Sequence, residues 1–189
     1  YIHTLTVSGN TLYAGGSFAN IGGQPRSHIA SFNTTTGALN SWNPDEPDGD
    51  INTITIDGGK VYIGGTFSMV GSEFRYNIAA LDAVSGSVTS WVPDADGGIS
   101  QILINGGVAY VGGAFTLLGG QPRNNIGAVS TATGFATSWN PDADELVSTM
   151  EISGSTLYVG GEFTTIGGAS RDAIAALSLS TGNATSWDA

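Results

Sequence analysis

Val61-Tyr62-Ile63-Gly64-Gly65-Thr66-Phe67 is one of four versions of a single motif in this chain of 189 residues. The others are Leu12-Tyr13-Ala14-Gly15-Gly16-Ser17-Phe18, Ala109-Tyr110-Val111-Gly112-Gly113-Ala114-Phe115 and Leu157-Tyr158-Val159-Gly160-Gly161-Glu162-Phe163. Their first glycines stand at 15, 64, 112 and 160, in steps of 49, 48 and 48 residues. Trp42, Trp91, Trp139 and Trp187 keep these steps, and so do Arg26, Arg75, Arg123 and Arg171. Every Trp and four of the five basic residues are therefore repeat positions. Self-similarity at such a period marks one supersecondary unit copied along the chain.

Within the second repeat, Ile51, Ile54 and Ile56 predict a strand with one irregular step, and Asp57-Gly58-Gly59 a tight hairpin turn. Lys60 to Phe67 reads as the second strand, Asn77 to Asp82 as the third and Ser87 to Trp91 as the fourth. A Gly-, Arg- and polar-rich loop precedes the third strand, Ala83-Val84-Ser85-Gly86 turns the chain after it, and Val92 to Gly97 links to the next repeat. Four consecutive antiparallel strands per repeat are what a propeller blade requires, and the period is too long for one coil of a β-helix. A lone meander cannot bury both faces, whereas stacked blades can. The expected fold is thus an all-β β-propeller of four repeats of about 48 residues, each a four-stranded antiparallel blade, spanning 1–49, 50–97, 98–145 and 146–189. These form a single propeller domain or a propeller fragment. The Tyr, Phe and Trp of each repeat are its expected interblade packing residues.

The pattern of (Leu/Val)-Tyr-(Val/Ile)-Gly-Gly-x-Phe, Ile-Gly-Gly-x-x-Arg, Asn/Asp-x-Ile-Ala, Thr-Gly and Ser-Trp resembles the delta-60-type β-propeller repeat, related to the kelch-like Gly-Gly propellers. That resemblance implies a bacterial or archaeal secreted or surface protein. Ala80-Leu81-Asp82-Ala83-Val84-Ser85-Gly86 through Trp91 also resembles the docking motif of quinoprotein dehydrogenase blades. It carries one extra residue before Trp91, and the Asp position is Asn33, Ser130 and Ser178 elsewhere, so no quinone cofactor is inferred.

Composition narrows function. Sixteen acidic against five basic residues, a net charge of −11, argue against capture of nucleic acid or an anionic membrane, both of which need clustered Lys and Arg. With 40% hydrophobic residues the chain can bury a core, and no apolar run is long enough to span a bilayer as a helix. The lack of Cys removes thiolate metal sites and Cys nucleophiles. The chain begins at Tyr1 without Met or a charged leader and reads as a processed or excised piece.

In an up-and-down meander, successive connections alternate ends. The tight turns at 8–10 and 34–37 are expected at one end, and the longer segments 16–26 and 43–50 at the other, with their equivalents. The latter end is the expected place for any ligand, since loops on a rigid scaffold carry most sites. It gathers one Arg per blade and the carboxylates Asp45, Glu46, Asp48, Asp50, Asp94, Asp96, Asp142, Asp144 and Glu145. Each Arg is expected to bridge a carboxylate or a backbone carbonyl and fix its loop. The competing reading is Ca²⁺, since Asp94-Ala95-Asp96-Gly97 and Asp142-Ala143-Asp144 offer hard oxygens on alternate residues. His3 and His28 lie in different parts of the repeat and make no catalytic or metal pair. The Gly-Gly pairs of the repeated motif have no following Lys or helix and are read as tight turns and close backbone approach instead of phosphate loops. The tryptophans could be sugar platforms, but one fixed position per blade points to packing. Asn33-Thr34-Thr35 and Asn183-Ala184-Thr185 match the glycosylation sequon.

The functional expectation is a non-catalytic structural or interaction module of a larger extracellular or cell-surface protein, serving adhesion or assembly. The alternative is a ligand-binding propeller that takes a glycan or peptide on the Asp-rich face, with or without Ca²⁺. A third is an enzyme whose active residues lie outside this chain. Four repeats leave two apolar terminal faces, which meet each other if the chain closes as a four-bladed ring; the expectation is instead that a second copy of the chain, further repeats or another protein partner covers them.

Overall fold

The computed structural model describes residues 1–189, all of them in strands, turns and irregular segments with no helix. They divide into two compact units, Tyr1–Trp91 and Val92–Ala189, each carrying two repeats.

In the first unit, β1 (Ile2–Ser8), β2 (Thr11–Gly16) and β5 (Ile29–Asn33) form a three-stranded antiparallel sheet, and β3 (Asn20–Ile21) with β4 (Gln24–Pro25) a small ribbon. The second repeat gives the same pieces: β6 (Asp50–Asp57), β7 (Lys60–Thr66) and β10 (Ile78–Asp82), with a ribbon of β8 (Met69–Val70) and β9 (Glu73–Phe74). In the second unit the sheets are β11 (Gly98–Asn105), β12 (Val108–Ala114), β15 (Ile126–Ser130), then β16 (Val147–Ser153), β17 (Thr156–Gly161), β20 (Ile174–Ser178). Their ribbons are β13 (Leu117–Leu118) with β14 (Gln121–Pro122), and β18 (Thr165–Ile166) with β19 (Ala169–Ser170).

The irregular step in each first strand is a β-bulge. Between Ile51 and Thr53 the register against β7 shifts by one, so Ile51 and Ile54, three positions apart, are both buried on one face. The same shift lies between Ile2 and Thr4, Ile99 and Gln101, and Val147 and Thr149. Opposite the bulge sits the second glycine of each motif. A Cβ on Gly65 would strike the Asp50 carbonyl oxygen, and one on Gly113 the Gly98 carbonyl oxygen. In the first and third repeats the first glycine has a different neighbour, the following repeat: a Cβ on Gly15 would lie 2.6 Å from Ile51 Cγ2 and 3.0 Å from Ile54 Cδ1. The motif's Gly-Gly is therefore close approach twice over, with neither glycine in a turn; the turn reading fails for this pair.

The expected fourth strand is also corrected. Of Ser87 to Trp91 only Val88 forms a bridge, to Leu81, and the equivalents are the single bridges Phe32–Leu39, Val129–Ala136 and Leu177–Ala184. Pairing stops because the next backbone groups are taken. The Thr89 carbonyl accepts from the Arg75 guanidinium at 2.8 Å, and Trp91 N–H turns back to Thr89 Oγ1 at 3.3 Å. Each repeat is thus three strands plus a bridge, with a ribbon where an irregular loop was expected.

Side-chain packing joins the two repeats within each unit. In the first, Ile51 and Ile54 of the second repeat share a buried cluster with Tyr13 and Ile29 of the first, and Trp42 packs against it. In the second, Val147 and Met150 share one with Tyr110, Ile126 and Trp139. Tyr and Trp of one repeat meet edge-to-face, with centroids 5.3 Å apart for Tyr13–Trp42 and 5.0 Å for Tyr110–Trp139. Such pairs contribute about 0.5–1.5 kcal/mol beyond their buried area. The indole then reaches forward. Trp139 Nε1–H donates to the Ser178 carbonyl at 3.0 Å, and Trp42 Nε1–H to that of Asp82 at 3.4 Å.

Candidate functional site

Because the chain leaves its own sheet before reaching Trp, the acidic linker does not stay at the long-loop end. Asp45 N–H donates to the carbonyl of Gly86, in the turn after β10 of the next repeat, at 3.1 Å, and Asp45 Oδ2 accepts from Val88 N–H at 2.8 Å. Two residues on, Pro47 bridges Val70 in β8. Ala95 bridges Leu118 in the same way. The linker is a strap laid over the following repeat, from its tight turn to its ribbon. The expected gathering of all linker carboxylates at one end is corrected accordingly.

The strap ends on one aspartate. Asp96 Oδ1 accepts from the N–H groups of Thr116 and Leu117, both at 2.8 Å, while Oδ2 accepts from the Thr116 hydroxyl at 2.6 Å. Asp144 repeats this on Thr164 and Thr165, with the Thr164 hydroxyl at 2.6 Å. Asp48 Oδ1 takes Ser68 N–H at 2.8 Å and Met69 N–H at 3.0 Å. Hydrogen bonds to the ionised form favour it. The Thr164 hydroxyl and the two N–H groups hold Asp144 down at about 2. For Asp96, partial burial acts upward, but the Thr116 and Leu117 donors outweigh it and its pKa lies below the ordinary value.

The other Ca²⁺ candidates are placed differently. Asp142 accepts from Asn124 Nδ2 at 2.7 Å, and both Asp94 and Asp142 occupy positive φ, 33° and 58°. Asp94 and Asp96 share one linker and Asp142 and Asp144 the next, with no group of three or more His, Asp or Glu side chains converging. Asp96 and Asp144, their oxygens already engaged by donors, present few lone pairs to a cation that takes six to eight oxygens.

The recurring arginines bind backbone. Arg75 donates from Nη1 to the Phe74 carbonyl at 2.7 Å and from Nη2 to Thr89; Arg171 does the same with Ser170 and Thr185 at 2.7 and 2.9 Å. Arg123 joins Pro122 and Thr137, and Arg26 donates to Pro25. Each guanidinium clamps the ribbon, and in the last three repeats it also holds the segment leading to Trp. Carboxylates come only to Arg75, from Glu73 at 3.8 Å, and to Arg171, from Asp188 at 3.7 Å. Trp91 and Trp139 are buried, Trp42 half-buried and Trp187 exposed. Two features were not read from the sequence. His28, Asn77, Asn125 and Ala173 are equivalent positions, all with φ of 61° to 64°, where the chain enters the third strand. Two Asn in that column were the available signal. The second is a shared turn cap. Asp82 Oδ1 accepts from Val84 and Ser85 N–H, and Asn33 Oδ1 from Thr35 and Thr36 N–H. Ser130 and Ser178 hydroxyls cap the same turn in the other repeats. The motif that resembles a quinoprotein signature is here a local turn cap, which Asp, Asn and Ser all supply.

Two polar clefts open on the surface of the repeats. One is lined by Thr11, Tyr13, Ser31, Asn40, Trp42 and Ser85, without carboxylate or imidazole. The other lies around Asp142, Gly168, Ser170 and Asn183 and holds one carboxylate.

No protein-family model and no curated protein matches the chain. Solved structures do. The computationally designed Ika8 protein superposes with a TM-score of 0.65 at 13% identity over 97% of this chain and 47% of that one. The Neurospora crassa Pan2 WD40 domain gives 0.64 at 11% identity, covering 97% of this chain and 50% of its own. BamB from Moraxella catarrhalis gives 0.54 at 20%, covering 97% and 48%. The fold is of the β-propeller type. This chain spans about half the length of those three structures, and 91% of the designed Ika4 protein, which it matches at a TM-score of 0.62 and 12% identity. At these identities the likeness concerns architecture, which serves many functions.

Proposed function

We propose that this chain is a non-catalytic structural or interaction stretch of propeller within a larger extracellular or cell-surface protein, serving adhesion or assembly. One observation carries the reading: the polar side chains that recur from repeat to repeat are spent on backbone. Arg26, Arg75, Arg123 and Arg171 donate to carbonyls, and Asp48, Asp96 and Asp144 accept from N–H groups of the next repeat. Catalysis needs a nucleophile or acid–base pair within reach of a shared pocket. The two polar clefts offer hydroxyls, amides and a single hydrogen-bonded carboxylate. A scaffold whose polar residues hold its own loops suits a part that presents surface.

The test is Ca²⁺ titration calorimetry together with a glycan array, with and without Ca²⁺. The module reading expects no saturating heat and no array signal. A saturating isotherm lost in Asp142→Asn, or a glycan signal lost in Asn183→Ala, would replace it with the ligand-binding reading. Fractionation of the source cells with antibody to the chain checks location, and a cytosolic signal alone would overturn the surface assignment.

A further inference from the structure

The same side-chain column is buried inside the chain and bare at its two outer repeats. On the first strand of each repeat, Ile51 and Ile54 are 0% and 4% exposed, whereas their equivalents Ile2 and Leu5 are 45% and 61% exposed. On the opposite face, Ile29, Ile78 and Ile126 are fully buried, but Ile174 is 42% exposed. Trp187 is 40% exposed against 6% for Trp139. These two bare faces are the two halves of one interface, the one that joins repeats inside each unit.

The halves can be matched group by group. Ile51 and Ile54 fill the space over Gly15, which a Cβ there would occupy. Val147 and Met150 fill the space over Gly112, at 2.7 and 3.2 Å from such a Cβ. Gly160 is the equivalent glycine of the fourth repeat, and a Cβ on it would meet only Thr149 of its own sheet and, at 3.9 Å, the Ala173 carbonyl. Around it lies an apolar depression lined by Met150, Tyr158, Val159 and Ile174. The indole has the same asymmetry: Trp42 and Trp139 donate to the carbonyl that ends the third strand of the next repeat, Asp82 and Ser178. The corresponding carbonyl for Trp187 is that of Asn33, in the first repeat.

We infer that a second copy of this chain docks head-to-tail, its β1 face seating Ile2, Leu5 and Val7 over Gly160, Tyr158 and Ile174 of the first. This deepens the module reading, on which it rests, by naming a partner. The occupant is set by continuity with an interface the chain already makes: the bare depression takes an aliphatic strand with residues at the spacing of Ile51, Ile54 and Ile56, and β1 carries that spacing with its apolar side chains bare. Trp187 Nε1–H then donates to the partner copy's Asn33 carbonyl. Such a contact is heterologous, so each chain offers one half at each outer repeat.

Light-scattering mass on the whole chain tests this. The wild type is expected at a multiple of 19.2 kDa at concentrations of tens of micromolar. Leu5→Glu and Ile174→Glu, each placing a charge on an already exposed position, are each expected to run at the single-chain mass. Mixed one to one, they are expected to restore a two-chain complex, because the first keeps its Tyr158 face and the second its β1 face. Val7→Lys and Trp187→Ala form a second pair should either glutamate variant lose its circular dichroism signature. A wild type at the single-chain mass throughout overturns the inference, whether its faces are covered by each other or by flanking repeats. So does a mixture that stays monomeric. The calorimetric and glycan results are independent of either mass.

Discussion

Gly112→Ala isolates the close approach between repeats, because the residue sits in a regular strand and has no conformational need for glycine. A Cβ there lies 2.7 Å from Val147 Cγ1 and 3.2 Å from Met150 Sδ, and both side chains are buried. Overpacking of this kind costs about 1–3 kcal/mol. Replacing a strand glycine restores about 0.5–1 kcal/mol by lowering the entropy of the unfolded chain. The expected net loss is about 1–2 kcal/mol. With a urea m-value of about 2–3 kcal/mol/M, the unfolding midpoint falls by roughly half a molar. Val147→Ala alone removes two methyl equivalents at about 0.8 kcal/mol each and leaves part of a cavity, about 2 kcal/mol in all. If Gly112 exists to seat Val147, the double variant regains the clash term and loses little more than Val147→Ala alone, a coupling of at least about 1 kcal/mol. The assay is equilibrium urea unfolding of the four proteins followed by Trp fluorescence at matched m. Additivity to within about 0.4 kcal/mol, or a Gly112→Ala variant as stable as the parent, refutes the seat.

Ala173→Asn should stabilise the protein by about 0.5–1 kcal/mol, because Ala173 holds φ of 64° where two equivalents are Asn; thermal unfolding reads it. Asp144 has a folded pKa of about 2 against 3.8 for the free group, so its contribution is in place above pH 3.8 and is lost as pH falls through about 2. Asp144→Asn should accordingly flatten the decline of melting temperature across that window, and an unchanged slope would show the carboxylate to be a bystander. Trp139→Phe gives up the 3.0 Å bond to the Ser178 carbonyl and should cost about 1–2 kcal/mol in urea. Trp42→Phe, where the bond is 3.4 Å and the ring half-buried, should cost less.

Periodicity made the repeat and its aromatic packing legible, since Tyr13, Trp42 and their equivalents could recur at fixed steps for no local reason. The irregular step was legible too, because Ile51 and Ile54 stand three apart where strand alternation asks for two, while Ile54 and Ile56 keep it. The fourth strand misled because Ser87 to Trp91 has strand-like residues, and nothing in that spelling says that Arg75 takes the Thr89 carbonyl. That competition is tertiary. Strand alternation alone then put the linker at one end of the sheet, whereas the early exit at Trp sends it across the neighbouring repeat. The linker aspartates were visible as donors of hard oxygen, but a cation and a pair of N–H groups ask for the same residue type. Only position separates them: Asp96 and Asp144 lie over the ribbon that follows, while Asp142 faces an Asn side chain.

The strap has a mechanical consequence. Tension on the chain reaches the next sheet only after passing through an aspartate fastened by several short bonds, three of them for Asp96. Because those bonds end on a single carboxylate, they share a load and must fail together, unlike a ladder that unzips one rung at a time. In a protein anchored at a surface and pulled from its far end, each junction would behave as a separate clasp. Acidity would open the Asp96 and Asp144 clasps before it reached the aliphatic packing beneath them.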